Sequence, residues 1–318
     1  LRELIINGRR IADDEPCYVI AEIGNNHGGS ATTALEMVMA AADAGCEAVK
    51  FQRRANGTLY SRELLDKPYE NLHSFGRTYG EHRAALELPL TDYAHVYHTA
   101  ENRGLACFAT AFDELSADEL EAVIDPPAFK LASGALQDYA LIKHVASLGK
   151  PVILSTGGGT LRQIDMAVET LSKHTTRFAL LHATAAYPAT FDELNLRCIR
   201  SMWERYRCVI GWSCHVHNIS MMMAAYALGA RIIECHFTLN RTMKGTDHAF
   251  SLEPATMKKL CKDLSRAHVA LGDGIKKLYP SEVGPLSKMR RVETRYGLQI
   301  TGDTSWATSA LSACSRTS

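Results

Sequence analysis

Cys208-Val209-Ile210-Gly211-Trp212-Ser213-Cys214-His215 and Arg231-Ile232-Ile233-Glu234-Cys235-His236 are the two stretches that decide how this chain reads. Each opens on a short apolar, β-branched run and turns polar at a histidine. That is the pattern of a buried strand meeting solvent at its end. If the two strands are neighbours in a parallel barrel, His215 and His236 converge on one rim and offer a site for a divalent metal. The bland alternative is a pair of hydrogen-bonded rim histidines.

Six more apolar runs lie upstream, at 17–22, 48–52, 106–109, 128–132, 151–154 and 178–181. With 208–212 and 231–235 they make eight candidate strands. Between them, segments such as 32–43, 116–123, 161–171 and 218–228 repeat apolar residues every three or four positions, as helices do. Strand–helix alternation predicts an α/β protein with a parallel sheet. A count of eight favours a (β/α)8 TIM barrel, while a doubly wound open sheet satisfies the same periodicity. The expected organisation is one catalytic barrel over residues 1–290 and a short tail over 291–318.

Lysine plus arginine and aspartate plus glutamate each number 35, so the formal net charge is zero. Nothing in that balance points to nucleic acid or an anionic membrane. No apolar run reaches the roughly 18 residues needed to span a bilayer. The opening Leu1-Arg2-Glu3-Leu4 lacks the pattern of a secretory signal, so a cytoplasmic protein is expected. Nine cysteines without a C-x-x-C pair read as reduced thiols, with Cys46, Cys107 and Cys208 packed as small hydrophobes.

Nearly every candidate strand ends in a polar residue: Glu22, Lys50 with Gln52, Thr110, Lys130 with Ser133, Ser155, His182, Ser213 with His215, and His236. In a parallel barrel all these ends share one rim, where such enzymes place their sites. Two lysines aimed into a barrel mouth require negative partners, which a phosphate and a carboxylate would supply; structural acids would serve equally. Ser155-Thr156-Gly157-Gly158-Gly159-Thr160 is a glycine-rich turn able to hold an anion, and Thr160 and Gln163 have capping-box spacing. Asp247 or His248 could approach the two histidines, whose open coordination sphere suits polarisation of a carbonyl. Glu22 could move a proton or balance Lys50. Tyr187-Pro188 reads as a turn or a substrate wall. The long connection from Arg53 to about Thr91, with Tyr60, Arg77 and Tyr79, is a plausible lid.

In this order the segments resemble the sialic acid synthase (N-acetylneuraminate synthase) family. The likeness runs through Ala21-Glu22-Ile23-Gly24-Asn25-Asn26-His27, Val49-Lys50-Phe51-Gln52, Phe129-Lys130-Leu131-Ala132-Ser133 and Ile153-Leu154-Ser155-Thr156-Gly157. It continues through Tyr187-Pro188, the two histidine segments, and Gly245-Thr246-Asp247-His248-Ala249-Phe250-Ser251-Leu252-Glu253-Pro254. The resemblance implies a metal-assisted condensation of phosphoenolpyruvate with the open-chain aldehyde of an amino sugar such as N-acetylmannosamine. It implies that Lys50, Lys130, Ser133, Ser155 and Ser213 bind phosphoenolpyruvate, and that His215 and His236 hold Mn2+ or Mg2+. Glu22, Gln52, Tyr187 and Asp247 fall on catalytic or sugar-contacting positions. Members commonly dimerise and add a C-terminal antifreeze-like domain; with only residues 292–318 after the barrel, that domain is not expected in this sequence. Ala135, Ala185 with Ala186, and Cys214 depart from the family's usual residues. The departures leave room for a different aldehyde acceptor, or for a non-catalytic sugar-binding relative. Retention of Glu22, Lys50, Lys130, His215 and His236 argues against the latter.

Overall fold

A computed structural model describes residues 2–308. It divides into two compact units, Leu1–His268 and Val269–Ser318. The first begins with an antiparallel hairpin, β1 (Glu3–Ile6) and β2 (Arg9–Ala12). Eight parallel strands follow: β3 (Tyr18–Gly24), β4 (Ala48–Arg53), β5 (Ala106–Ala111), β6 (Phe129–Leu131), β7 (Val152–Ser155), β8 (Phe178–Ala183), β9 (Val209–Cys214) and β10 (Ile232–His236). They close in the order β10-β3-β4-β5-β6-β7-β8-β9. The closing ladder runs from Ile232 opposite Tyr18 to His236 opposite Glu22. It decides for the TIM barrel over an open sheet.

Alternate residues of a strand face opposite sides, and the barrel sorts its sequence on that period. Val19 and Ala21, Val49 and Phe51, Ile210 and Trp212, and Ile233 and Cys235 pack outward against buried helix residues such as Met37, Val38 and Ala41. The other phase, Tyr18, Ile20, Ala48, Phe108, Ile153, Leu181, Val209 and Ile232, fills the interior. Two or four residues further along the same strands this inward row becomes Glu22, Lys50, Thr110, Lys130, Ser155, Ser213 and Glu234, all buried.

The interior is covered at the strands' N-terminal end by the first hairpin. Leu4, Ile6 and Ile11 belong to the same apolar cluster as Tyr18, Ile20 and Ile232. The hairpin turns on Asn7-Gly8, both at positive φ, the pair that a tight two-residue turn prefers. It was not among the expected strands.

Connecting helices include Ala31–Ala44, Leu90–Asn102, Leu161–Ser172 and Ile219–Ala227. The expected capping box forms: Thr160 accepts from Gln163 N–H, and the Gln163 side chain accepts from Thr160 N–H. Among the described residues no helix is long and apolar enough to cross a membrane. Cys17, Cys46, Cys107, Cys208, Cys214 and Cys235 are free thiols in buried positions. The second unit contains a helix, Pro280–Ser287, and an antiparallel pair, β11 (Arg291–Thr294) and β12 (Gly297–Ile300). Of the expected tail, residues 309–318 lie outside the described residues.

Candidate active site

The C-terminal ends of the barrel strands surround a cavity of about 600 Å3. Glu22, Lys50, Gln52, Lys130, Ser133, Ser155, Tyr187, Ser213, His215, His236 and Asp247 all line it.

Four charges occupy its floor. Lys50 Nζ lies 2.6 Å from Glu22 Oε2 and 3.8 Å from Glu234 Oε1, and donates to Thr110 Oγ1 at 2.8 Å. Lys130 Nζ lies 3.7 Å from the same Glu234 oxygen and donates to Ser155 Oγ at 2.7 Å. Ser213, directly opposite Glu234 in the ladder, donates its hydroxyl to it at 3.0 Å. Glu22, Lys50 and Lys130 are each 2 % exposed and Glu234 is 5 % exposed. Two ammonium groups and two carboxylates therefore neutralise one another in a place where neither could stand alone.

Burial pushes the Lys130 ammonium down to about 8; Glu234 opposes that fall and Lys50 adds to it. Burial works to raise the Glu234 carboxyl, but Lys130 and then Lys50 outweigh it and hold the group below its ordinary value. Glu234 was missing from the expected site. The period of its own strand reveals it, because it lies two residues before His236 and so faces the same way.

Glu22 is steered from above. Gln52 Nε2 donates to Glu22 Oε1 at 2.7 Å, and Arg54 Nη2 donates to Gln52 Oε1 at 2.5 Å. Arg54 itself stacks 3.8 Å from the centre of the Phe112 ring, and its Nη1 lies 3.6 Å from Glu87 Oε1. Gly24 makes this approach possible: a Cβ there would stand 3.1 Å from both Gln52 Nε2 and Glu22 Oε1. Its φ of 55° also suits glycine, at the irregularity that ends the β3–β4 ladder.

Above the charges sit the two histidines. They come from adjacent strands, with ring centroids 5.5 Å apart. Tyr187 lies over His215 at 4.2 Å and Phe250 against His236 at 4.9 Å. Burial, with His236 beside it, pushes His215 down to about 4, so its ring is neutral at ordinary pH. His215 Nδ1–H donates to Thr184 O at 2.8 Å, which leaves the Nε2 lone pair free. His236 Nδ1 is buried without a hydrogen-bond partner, and Asp247 Oδ2 lies 3.6 Å from it. Among the described residues no three His, Cys, Asp or Glu side chains form a ready-made metal cluster. Two imidazoles with an orphaned nitrogen fit a divalent ion that keeps its other positions for water and substrate.

Asp247 rather than His248 faces the cavity; His248 is turned away onto Thr238 Oγ1 at 2.7 Å. His182 also misses it. Its neighbour Leu181 holds the inward phase, so His182 points outward, bonds Leu194 O at 2.8 Å, and lines a separate smaller cavity. In the glycine-rich turn, Gly157 N–H is already taken by Ser133 Oγ at 3.0 Å. Ser133 and Ser155 line the cavity, whereas Gly157, Gly158 and Gly159 do not. Cys214 packs outward in the layer between barrel and helices, whereas Ala185 lines the cavity. From the inserted segment, Arg54, Tyr69, Phe75, His82, Arg83 and Leu86 supply the outer wall, in place of the expected Tyr60, Arg77 and Tyr79.

Comparison with known proteins gives a consistent result. The sequence pattern of the NeuB family matches residues 37–276. The N-acetylneuraminate-9-phosphate synthase of Homo sapiens is 34% identical over 286 residues, covering 89% of this chain and 79% of that protein. The N,N'-diacetyllegionaminic acid synthase of Campylobacter jejuni is 36% identical over 278 residues, covering 86% and 83%. The crystal structure of an N-acetylneuraminic acid synthetase from Leptospira borgpetersenii superposes with a TM-score of 0.78 at 30% identity, over 88% of this chain and 94% of that one.

Proposed function

This chain belongs to the NeuB family of phosphoenolpyruvate-condensing synthases, and we propose that its acceptor is the open-chain aldehyde of an amino sugar, N-acetylmannosamine or a relative. The products are a sialic-acid-like 2-keto sugar acid and phosphate. The observation that carries this reading is the stacking of a two-lysine floor beneath two imidazoles in one cavity. An enol phosphate needs the first, and an aldehyde held for attack needs the second.

Lys50 and Lys130 would receive the donor's phosphate and carboxylate, with the hydroxyls of Ser133, Ser155 and Ser213 completing the hydrogen bonds. The floor already sums to zero, so the donor brings negative charge that the four side chains alone do not cancel. His215 and His236 would hold Mn2+ or Mg2+, which when bound supplies that charge and polarises the aldehyde oxygen. Tyr187 and Asp247 would fix the sugar chain so that its carbonyl carbon meets the enol carbon of the donor. The new carbon–carbon bond uses the enol electron pair, and the former carbonyl oxygen takes a proton to become a hydroxyl. Water then adds at C2 of the donor, with Glu22 placed to take its proton once the donor draws Lys50 away. Phosphate leaves by carbon–oxygen cleavage and the 2-keto group forms.

The acceptor is the open half of the reading. Relatives of similar identity are named for different acids, and Ala185 gives this cavity a small side chain on its wall. Incubation with phosphoenolpyruvate, Mn2+ and a panel of aldoses, with phosphate and 2-keto acid measured, tests the proposal. Stoichiometric release of both with an amino sugar is expected. Silence across the panel, with no donor binding, would overturn it.

A further inference from the structure

Two sulfurs far apart in sequence meet outside the cavity, and the chemistry above does not use them. Cys46 Sγ and Cys261 Sγ lie 4.0 Å apart. Among the described residues no other two thiols are in such contact. No third His, Cys, Asp or Glu among those residues joins them in a metal-binding group.

Cys46 follows Gly45, the left-handed cap of the helix Ala31–Ala44, and its N–H donates to Ala41 O at 3.2 Å. Two residues later β4 begins, so a helix end and a barrel strand fix its backbone. The opposing backbone is close: a Cβ at Gly45 would stand 3.7 Å from Cys261 Cβ. Cys261 lies on the helix Pro254–Leu271, one turn after Met257, whose Sδ is 4.0 Å from Cys235 Sγ of β10. Successive turns of that helix therefore rest on β10 and on the approach to β4. The two thiols differ in access. Cys46 is 7 % exposed, whereas Cys261 is half-buried. The hydrogen bond with Cys261, then burial, push the Cys46 thiol well above its ordinary value. An accessible sulfur beside a buried one suits a pair in which the first is oxidised and the second resolves it. A disulfide is about 2.05 Å long, which leaves a gap of about 2 Å for side-chain rotation to close.

We propose that Cys46 and Cys261 are an oxidative modification site, forming a reversible disulfide when the protein meets a hydroperoxide. The Cys261 thiolate attacks the peroxide oxygen and the O–O bond breaks. Cys261 becomes a sulfenic acid, and the departing alkoxide takes the proton that the thiol gave up. The Cys46 sulfur then displaces hydroxide from the sulfenic sulfur, and that hydroxide leaves as water with the Cys46 proton. Two thiols and one hydroperoxide thus give one disulfide, one alcohol (water, from hydrogen peroxide) and one water. Two electrons pass from the sulfurs to the peroxide, and a dithiol returns them. The bond ties the helix after the last barrel strand to the approach to β4. It closes a long loop of chain, which restricts the unfolded state most.

The experiment treats the full chain, reduced and freed of reductant, with hydrogen peroxide. The sample is quenched in acid, blocked with N-ethylmaleimide and digested for mass spectrometry. A peptide pair linking Cys46 to Cys261 within one chain is expected, absent without peroxide and lost after dithiothreitol. The oxidised protein should melt higher than the reduced one by roughly 3 °C or more, and Cys261→Ser should abolish that rise. In Cys46→Ala, which lacks the resolving thiol, dimedone should label Cys261 as its sulfenic acid. No linked pair in the parent, a link through any other cysteine, or a link between two chains would overturn the proposal. A linked parent with an unchanged melting temperature would overturn the tie between helix and barrel. A dimedone label on another cysteine would overturn the order of attack. Should Cys46→Ala fail to fold, the linkage map of the parent decides by itself.

Discussion

The two ends of the barrel interior are cut from the same eight strands and the same inward-facing period, yet they are opposite in chemistry. The lower end holds Tyr18, Ile20, Phe108, Ile153, Leu181 and Ile232, closed off by Leu4, Ile6 and Ile11 of the first hairpin. The upper end holds Glu22, Lys50, Lys130 and Glu234 with their hydroxyl partners. Apolar burial at the lower end stabilises the barrel by roughly 25 cal/mol for each Å2 removed from water. Buried ion pairs seldom recover their full desolvation cost, so the upper end adds little stability of its own. The lower end makes the fold, and the fold holds the upper end in a geometry that only chemistry rewards.

That contrast is open to attack from both sides. The largest expected effect is at the top: His236→Ala should lower metal-dependent turnover by about 10³-fold or more while leaving the thermal transition near that of the parent. Steady-state rates with added Mn2+ and after chelation check this, and undiminished activity in metal-free buffer would break the metal assignment. At the bottom the pattern should invert. Phe108→Ala, which empties a fully buried site, should destabilise by about 3–5 kcal/mol in urea unfolding. The folded fraction should keep most of its kcat. Equal damage to catalysis would mean that the two ends are not separable.

A smaller, reversible effect comes from pH. With Lys130 titrating at about 8 in the folded protein, donor affinity should fall as pH rises through that value, approaching tenfold per unit above it. The stability linkage has the opposite sign. The folded-state value lies below the ordinary 10.5, so between about 8 and 10.5 the unfolded chain binds more protons. This group therefore adds stability as pH rises through that window, and below it the burial penalty is fully expressed. Calorimetric donor titrations and urea midpoints across pH 7–10 test both directions, and Lys130→Met should flatten each. Smallest of all is Gly8→Ala, expected to cost about 1 kcal/mol through the positive φ of the hairpin turn. It should not change kcat, because the hairpin closes the end of the barrel away from the chemistry.

The division between the ends also explains what the sequence made legible. All eight barrel strands stand out because each is a short apolar run, and their observed limits fall within two residues of those expected. The first hairpin was missed although Asn7-Gly8 is a strong turn signal: its strands, Glu3–Ile6 and Arg9–Ala12, are only four residues each. At the rim, polarity was legible but direction was not. His182 and Glu234 differ only in strand phase, one turned outward to Leu194 and the other inward between two lysines. The choice between Asp247 and His248 rests on a loop path no periodicity encodes. The pairing of Arg54 with Gln52 depends on how the inserted segment folds back over the cavity.

The central claim, that the charged floor is a donor site, is tested most directly by titrating phosphoenolpyruvate into the parent protein and Lys130→Ala in the presence of Mn2+. One site is expected in the parent, weakened on the order of 100-fold by the substitution, with the barrel's far-ultraviolet circular dichroism retained. Equal affinity in the two proteins, or no binding to the parent, would contradict it.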